Sequence, residues 1–365
     1  MNKKTISYKT TNSEVFIGND VFALLNEYLR PYLNGQIFVL VDENTLNHCS
    51  AQVISSVENL NNAEIIEIPS GEESKSIEIC YKIWKTLTDF KADRKSLLIN
   101  LGGGVITDIG GFVASTFKRG IDFINIPTTL LAQIDASVGG KVGVDFEGNK
   151  NLIGVFNEPR VVFIYPSFLK TLDKRQMLSG YAEALKHALI KDEKYWKELQ
   201  EGSMLADSLC WDKLITKSVE IKNKIVCSDP FENGERKLLN FGHTVGHAVE
   251  SYYLAEDYLP LLHGEAVAIG IICESYLSNK MNGLSDNDLE SIVQCITQFY
   301  KLPTIDSEDF HKLIDWMKND KKNQNSRINF SILKSIGEAT YNHSIEDEMI
   351  FESLNFYNQI TKPIE

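Results

Sequence analysis

Residues 97–108 are LLINLGGGVITD, an apolar run that leads directly into three glycines. Such a run is typical of a strand buried on both faces of a parallel sheet, and residues 105–117 have the spacing of a helix. The glycines let the chain turn sharply, and the N-terminus of the helix offers backbone N–H groups to a phosphate. A tight turn without a ligand fits equally well, because Thr107 stands where the dinucleotide fingerprint G-x-G-x-x-G needs its third glycine.

Further strand and helix patterns alternate on both sides of this stretch. Apolar runs predict strands at residues 36–41, 63–68, 121–126 and 161–165, and residues 74–90 show helical spacing. This alternation predicts an α/β domain with a mostly parallel sheet covered by helices. Ligands of such sheets bind beyond the carboxyl ends of the strands.

The second half of the chain has almost only helical periodicity. It predicts helices at residues 176–190, 211–228, 235–253, 264–280 and 286–299, with strands returning at 327–333 and 337–341. We therefore expect an α/β domain over residues 1–172 and an all-α domain over residues 173–365, with a cleft between the two.

Charge and cysteine usage exclude several classes of function. The 365 residues carry 37 Lys and Arg against 50 Asp and Glu, a net charge of −13. Nucleic acids and anionic membranes bind best to a basic protein surface, so neither is expected as a partner. A small anionic substrate needs only a local basic pocket. The six cysteines form no metal or disulfide spacing pattern, and no targeting or membrane-spanning segment is evident. We expect a cytoplasmic protein with reduced thiols.

Several polar residues of the first half have two interpretations. Asp42 ends the first strong strand, where it can bind a ribose diol or cap the following helix. Thr128 and Thr129 can bond a phosphate or cap a helix. Residues 133–154 place Lys141 and Lys150 among five glycines, which suggests a pocket for anionic groups. The alternative is a surface hairpin with solvated lysines, the usual situation of a lone lysine.

Histidines cluster in the helical half. His243 and His247 are four residues apart, so they share one face of a helix, and His263 begins the next predicted helix. Glu183 lies on another helix. Imidazole and carboxylate ligands suit zinc, and an open coordination position would make the site catalytic. The spacing predicts a metal site but leaves open which two histidines bind the ion.

Six motifs together resemble those of 3-dehydroquinate synthases, the NAD- and metal-dependent cyclases of the shikimate pathway. They are GGGVITD (102–108), PTTLLAQIDASVGGK (127–141), GNKN (148–151), GYAEALKH (180–187), NFGHTVGHAVE (240–250) and LHGEAVAIG (262–270). The resemblance extends from Asp42 to about Lys322. It implies that residues 1–172 form a Rossmann-like α/β domain that binds the nucleotide NAD, and that residues 173–365 form an all-α domain that binds metal and substrate. It also implies a zinc or cobalt ion and a homodimer.

The resemblance also implies roles for matched positions. The metal ligands would be Glu183, His243 and His263, with His247 beside the substrate. The cofactor residues would be Asp42, Asn44, Glu72, Lys75, Gly103, Gly104, Val105, Asp108, Thr128, Thr129, Lys141, Lys150, Phe168 and Thr171. The substrate residues would be Asp135, Lys141, Lys150, Asn151, Lys186, Lys222, Arg236, Asn240 and His247. Arg119 looks like an arginine that reaches a neighbouring subunit, and either Lys321 or Lys322 of Asp320-Lys321-Lys322 would contact the substrate.

The implied reaction converts 3-deoxy-D-arabino-heptulosonate 7-phosphate into 3-dehydroquinate and phosphate, a step of aromatic amino acid biosynthesis. It proceeds by transient oxidation with NAD, phosphate elimination, reduction and intramolecular aldol closure. Three alternatives stay open. They are a polyol dehydrogenase of the glycerol dehydrogenase type, a cyclase of glucose 6-phosphate or sedoheptulose 7-phosphate, and a catalytically silent NAD- or zinc-binding module. A dehydrogenase has no need for so many cations facing its substrate.

Overall fold

The computed structural model describes residues 5–147, 149–255, 260–318 and 328–361. The chain forms two compact units. Unit 1 comprises Met1–Met177 with Ser208–Cys227, and unit 2 comprises Leu178–Asp207 with Ser228–Glu365. Residues 208–227 therefore cluster with unit 1, although the sequence places them in the second domain. The domain limit at residues 172/173 stays a prediction.

The strands and helices follow in chain order. The strands are β1 (Ile6–Lys9), β2 (Glu14–Ile17), β3 (Ile37–Asp42), β4 (Glu64–Ile68), β5 (Leu97–Gly102), β6 (Asp122–Pro127), β7 (Lys141–Phe146), β8 (Asn149–Phe156), β9 (Val162–Ile164), β10 (Asn329–Ser335) and β11 (Glu338–Ser344). The α-helices are α1 (Val21–Tyr28), α2 (Glu43–Thr45), α3 (Ala51–Ser56), α4 (Ile77–Asp89), α5 (Gly104–Thr116), α6 (Lys174–Lys191), α7 (Glu193–Gln200), α8 (Ser203–Ala206), α9 (Trp211–Ser228), α10 (His243–Ala255), α11 (His263–Asn282), α12 (Asp286–Phe299), α13 (Phe310–Lys318) and α14 (Asp347–Thr361).

Unit 1 is built on a seven-stranded sheet in the order β1-β2-β9-β6-β5-β3-β4. Its strands pair in parallel except for β1 with β2. Each predicted strand is present, with ends shifted by at most two residues. Successive side chains of β5 face opposite layers: Leu98 packs in the core beneath α4 and α5, and Ile99 in the core beneath α1 and α3. Burial on both faces explains the continuous apolar runs.

The glycine-rich segment after β6 forms an antiparallel hairpin of β7 and β8. The two strands approach closely, since a Cβ added to Gly143 would lie 2.6 Å from the carbonyl oxygen of Ile153. The hairpin alternative of the sequence analysis therefore describes the backbone here. It leaves open whether Lys141 and Lys150 bind an anion.

Unit 2 is mainly helical, with one departure from the predicted elements. The predicted helix 235–253 is interrupted: Glu235–Asn240 forms a 3-10 turn, Gly242 adopts a φ of +77°, and α10 begins at His243. The two strands predicted near the end of the chain are present as an antiparallel hairpin of β10 and β11, so the unit is mainly rather than purely α. No described helix is long and apolar enough to cross a membrane.

Candidate active site

Three helices of unit 2 bring together the predicted metal ligands. Glu183 lies on α6, His243 is the first residue of α10, and His263 is the first residue of α11. The Oε1 atom of Glu183 is 3.3 Å from Nε2 of His243 and 3.3 Å from Nε2 of His263. Their ligand atoms all lie within 4.8 Å of one another. One ion can therefore contact all three side chains.

The third histidine of the cluster occupies a different position. The ring centroid of His247 is 5.2 Å from that of His243 and 6.0 Å from that of His263. Among the described residues, His247 belongs to no group of side chains close enough to share an ion. This geometry separates two histidines that helical spacing alone does not distinguish.

Hydrogen bonds orient the imidazoles of both predicted ligands. Nδ1 of His243 lies 3.1 Å from the carbonyl oxygen of Phe241, and Nδ1 of His263 lies 3.2 Å from Oε2 of Glu250. A carbonyl or carboxylate partner favours the proton at Nδ1, so each imidazole in its neutral form would have its Nε2 lone pair available to a metal ion. Glu250 is absent from the sequence prediction, and only its position in the HAVE stretch, seven residues after His243, hinted at it.

The electrostatics keep the carboxylate of Glu183 ionised. Burial alone would raise its pKa, but Lys186, which forms an ion pair with it one helical turn away, and then His243 hold that pKa well below its usual range. Burial lowers the pKa of His243, which favours the neutral imidazole. Burial also lowers the pKa of His263, but Glu250 and Glu183 raise it to about 10.

The donor set fits a metal ion. Both carboxylate oxygens of Glu183 are fully buried. Oε2 pairs with the ammonium of Lys186, whereas Oε1 lies 3.3 Å from two imidazole nitrogens and accepts no hydrogen bond of good geometry. A buried oxygen without such a bond is costly unless another partner, such as a cation, supplies the missing interaction. Two imidazole nitrogens and one carboxylate oxygen are ligands that Zn²⁺ and Co²⁺ accept, with a further position open.

The other predicted substrate residues of unit 2 lie on α6 and in the turn before α10. Lys186 and Arg236 are buried. The guanidinium of Arg236 donates to the carbonyl oxygen of Pro230 at 2.6 Å, and the amide of Asn240 donates to Oε1 of Glu232 at 2.7 Å. Glu232 is a residue that sequence reasoning missed, and its contact depends on a loop whose path no motif reveals.

In unit 1, the glycine turn opens α5 as predicted. Gly103 precedes the helix with extended backbone, and no side chain caps this end. A Cβ on Gly103 would lie 3.1 Å from the methyl group of Thr129, so the turn is tight as well as uncapped. Thr128 donates its backbone N–H to the carbonyl oxygen of Gly102 at 3.0 Å. Helix and threonines therefore meet at the carboxyl ends of β5 and β6, where such sheets bind ligands.

A charged cluster lies beside the same helix. The Nζ atom of Lys75 is 2.5 Å from Oδ2 of Asp108, and that of Lys150 is 2.9 Å from Oε1 of Glu72. Burial would lower the pKa of Lys75, but Asp108 and then Glu72 raise it, so the ammonium stays charged. Asp145, which sequence reasoning missed, accepts the backbone N–H of Asn151 at 2.6 Å.

Two of the predicted cofactor residues have structural roles as well. Asp42 caps α2, because its Oδ1 accepts the backbone N–H of Thr45 at 2.8 Å. The ring of Phe168 packs in the core, with its centroid 5.1 Å from that of Tyr165, so only its backbone is available to a ligand. Asn44 and Thr171 are exposed.

The remaining predicted site residues of unit 1 are spread over several elements. Lys222 of α9 is buried, and its Nζ lies 2.9 Å from Oδ1 and 2.6 Å from the carbonyl oxygen of Asp135. Lys141 and Asn151 lie on the hairpin with exposed side chains, and Arg119 is exposed in a turn with a φ of +69°. Asp320, Lys321 and Lys322 lie outside the described residues.

Comparison with known proteins gives one consistent family. Residues 65–179 match the family model of the 3-dehydroquinate synthase N-terminal domain, and residues 180–323 match that of the C-terminal domain. The 3-dehydroquinate synthase of Parabacteroides distasonis is 42% identical over 350 residues, which cover 96% of this chain and 99% of that protein.

Solved structures confirm the predicted fold class. A 2-epi-5-epi-valiolone synthase from Streptomyces hygroscopicus subsp. jinggangensis, with NAD⁺ and Zn²⁺ bound, has a TM-score of 0.85 at 25% identity, covering 98% of this chain and 99% of that one. A 2-deoxy-scyllo-inosose synthase complexed with carbaglucose-6-phosphate, NAD⁺ and Co²⁺ also has a TM-score of 0.85. It is 22% identical, covers 96% of this chain and 99% of that one, and shows the fold alone.

Proposed function

Because the chain belongs to the 3-dehydroquinate synthase family, we propose that it converts 3-deoxy-D-arabino-heptulosonate 7-phosphate into 3-dehydroquinate and inorganic phosphate. The observation that carries the proposal is the buried Glu183 with His243 and His263 converging on it, beside the buried Lys186. In this proposal the enzyme is an NAD- and metal-dependent lyase that eliminates phosphate and closes a ring.

The metal site of the proposal consists of Glu183, His243 and His263. The ion is Zn²⁺ or Co²⁺, because the donor set accepts either. The similar valiolone synthase structure contains Zn²⁺ together with NAD⁺. Carbonyl and carboxylate partners at both Nδ1 atoms fix the imidazoles for binding through Nε2.

NAD is proposed to bind at the uncapped N-terminus of α5. The backbone N–H groups after Gly103 would hold the pyrophosphate, with Gly104, Val105, Thr128 and Thr129 around it. The buried Lys75 pairs with the half-buried Asp108 of this helix, which fixes the direction of both side chains. The further cofactor contacts proposed are Asp42, Asn44, Glu72, Lys141, Lys150, Phe168 and Thr171.

The substrate carries a carboxylate and a phosphate, and the proposal assigns several cations to it. In unit 2 these are Lys186 and Arg236, with Asn240 and His247 as hydrogen-bonding groups. In unit 1 they are Lys141, Lys150 and Lys222, with Asp135 and Asn151. Lys222 and Asp135 hold each other in place through their 2.9 Å contact.

Chemistry at the substrate carbon is divided between the cofactors and the chain. When bound, NAD accepts and later returns a hydride, and the metal acidifies the substrate hydroxyl and polarises the ketone. The chain's residues bind and orient the substrate, so that the reacting groups lie within reach of one another. Lys186 keeps Glu183 ionised, and His247 holds or moves a proton near the departing phosphate.

The proposed enzyme acts as a homodimer in the cytoplasm, with Arg119 reaching the neighbouring subunit. Light scattering on the purified protein measures the mass of the assembly. If the dimer form is required, Arg119→Ala should retain the dimer mass and lose activity. A monomeric and fully active wild-type protein would contradict this part of the proposal.

The activity is tested by incubating the purified protein with NAD, Zn²⁺ and the heptulosonate phosphate and measuring inorganic phosphate. Parallel incubations contain glucose 6-phosphate, sedoheptulose 7-phosphate or glycerol. Phosphate release from the heptulosonate phosphate alone supports the proposal. Phosphate release from another sugar phosphate would identify a different cyclase. NADH accumulation with glycerol would identify a dehydrogenase, and inactivity with every substrate would identify a binding module.

A further inference from the structure

The two helices that carry the histidine ligands pack backbone against backbone. A Cβ added to Gly270 of α11 would lie 1.9 Å from the carbonyl oxygen of Gly242, just before α10. One added to Gly246 would lie 3.1 Å from the carbonyl oxygen of Ala266. Side chains are therefore excluded from this contact, and the start of α10 is held against the middle of α11.

Glu274 of α11 makes a buried polar contact next to this glycine packing. Its side chain is fully buried. Oε2 accepts the backbone N–H of Gly242 at 2.7 Å, and Oε1 accepts that of Val245 at 3.0 Å. These two N–H groups lie on either side of His243, at an end of α10 where backbone donors have no partner within the helix. A carboxylate there also interacts favourably with the helix dipole.

We infer that Glu274 is a positioning residue of the metal centre, which caps α10 from the neighbouring helix and thereby fixes the direction of His243. The inference rests on the proposed function, in which His243 binds the ion. His263 begins the same helix that carries Glu274, so α11 supplies one ligand directly and orients a second. Without the cap, the first turn of α10 loses two hydrogen bonds, and Nε2 of His243 is no longer held 3.3 Å from Glu183.

Ser278 offers a matched control on the same helix, one turn beyond Glu274. It is also fully buried, and its hydroxyl oxygen accepts the backbone N–H of Leu333 at 2.9 Å. The same hydroxyl donates to the backbone carbonyl of Glu274 at 2.6 Å. Ser278→Ala therefore removes two buried hydrogen bonds of α11 but leaves the carboxylate of Glu274 and its contacts to α10 in place. Its effect on thermal stability can be compared directly with that of a change at Glu274.

The test measures Co²⁺ binding by competition with a chelator and records the visible absorption of the bound ion, for wild type, Glu274→Ala, Glu274→Gln and Ser278→Ala. We expect Glu274→Ala to weaken Co²⁺ binding about 10–100-fold, the range for supporting residues of metal sites, and to change the absorption bands. Glu274→Gln keeps one acceptor oxygen but turns an amide N–H₂ towards a backbone N–H, so an intermediate loss is expected. Ser278→Ala should bind Co²⁺ as wild type does.

The outcomes separate this inference from the proposed function. A wild-type protein that binds no Co²⁺ contradicts the proposed metal site itself. A wild type that binds one Co²⁺ while folded Glu274→Gln binds it equally tightly, with the same absorption, overturns the inference. If Glu274→Ala does not fold, Glu274→Gln decides the question. Equal weakening by Ser278→Ala would show that loss of stability alone accounts for the effect.

Discussion

Replacing His243 and His247 separately by alanine tests which of the two histidines binds the metal ion and which acts on the substrate. The two residues are one helical turn apart, yet only His243 has its Nε2 atom 3.3 Å from Glu183. His247→Ala should therefore leave all three donor atoms of the metal site in place. His243→Ala removes one of three donors, and such a site rarely retains its ion.

The size of each effect follows from these positions. A residue that donates a hydrogen bond or moves a proton contributes about 10²–10⁴-fold to the rate. That range corresponds to about 2.7–5.5 kcal/mol of transition-state stabilisation. His247→Ala should lose this much of kcat while it binds one metal ion per chain. His243→Ala should lose the ion and nearly all activity.

Metal analysis of the purified variants, together with phosphate release, provides the assay. NAD binding serves as the control, because the proposed cofactor residues are in unit 1 and should be unaffected by either change. The reasoning is refuted if His247→Ala is purified without metal while His243→Ala retains it. In that case the ligand roles of the two histidines must be exchanged.

Three further changes test other contacts. Glu250→Ala removes the partner of His263 Nδ1 and should weaken Co²⁺ binding about 10–100-fold in a chelator titration; unchanged binding would contradict the orienting role. Gly103→Val places side-chain atoms against Thr129, and this overpacking should lower the free energy of unfolding by ~1–3 kcal/mol and weaken NAD binding in calorimetry, with metal content unchanged. Burial raises the pKa of Asp229, but three backbone N–H groups of the following loop hold it below its ordinary value. The ionised Asp229 carboxylate therefore stabilises the fold at neutral pH, and this contribution is lost as the pH falls through the lowered pKa. The urea midpoints of wild type and Asp229→Asn should differ at pH 7 and converge in strong acid.

Local sequence was sufficient to predict the elements whose residues all lie in the same kind of environment. The strands of the parallel sheet are apolar throughout because both faces are covered, and the turn at Gly103 needs residues without side chains. The apolar run and the glycines that follow it therefore predicted the ends of β5 and α5 to within one or two residues.

Contacts between distant segments could not be predicted in this way. The helical pattern of residues 235–253 gave no sign that Gly242 would adopt a positive φ, because the partner of that break, Glu274, is 32 residues away. Lys75 and Asp108 are 33 residues apart and meet only through the packing of the sheet. Phe168 matched a family position, but an aromatic ring beside Tyr165 is better accommodated in the core than at a polar ligand.

The most direct test of the account is the balance of NAD during turnover. The protein is incubated with the heptulosonate phosphate, Zn²⁺ and an amount of NAD far below that of the substrate, and phosphate, 3-dehydroquinate and NADH are measured together. The account predicts equal amounts of phosphate and 3-dehydroquinate, many turnovers per NAD, and no net NADH. NADH that accumulates in step with product, or phosphate released without NAD, would contradict it.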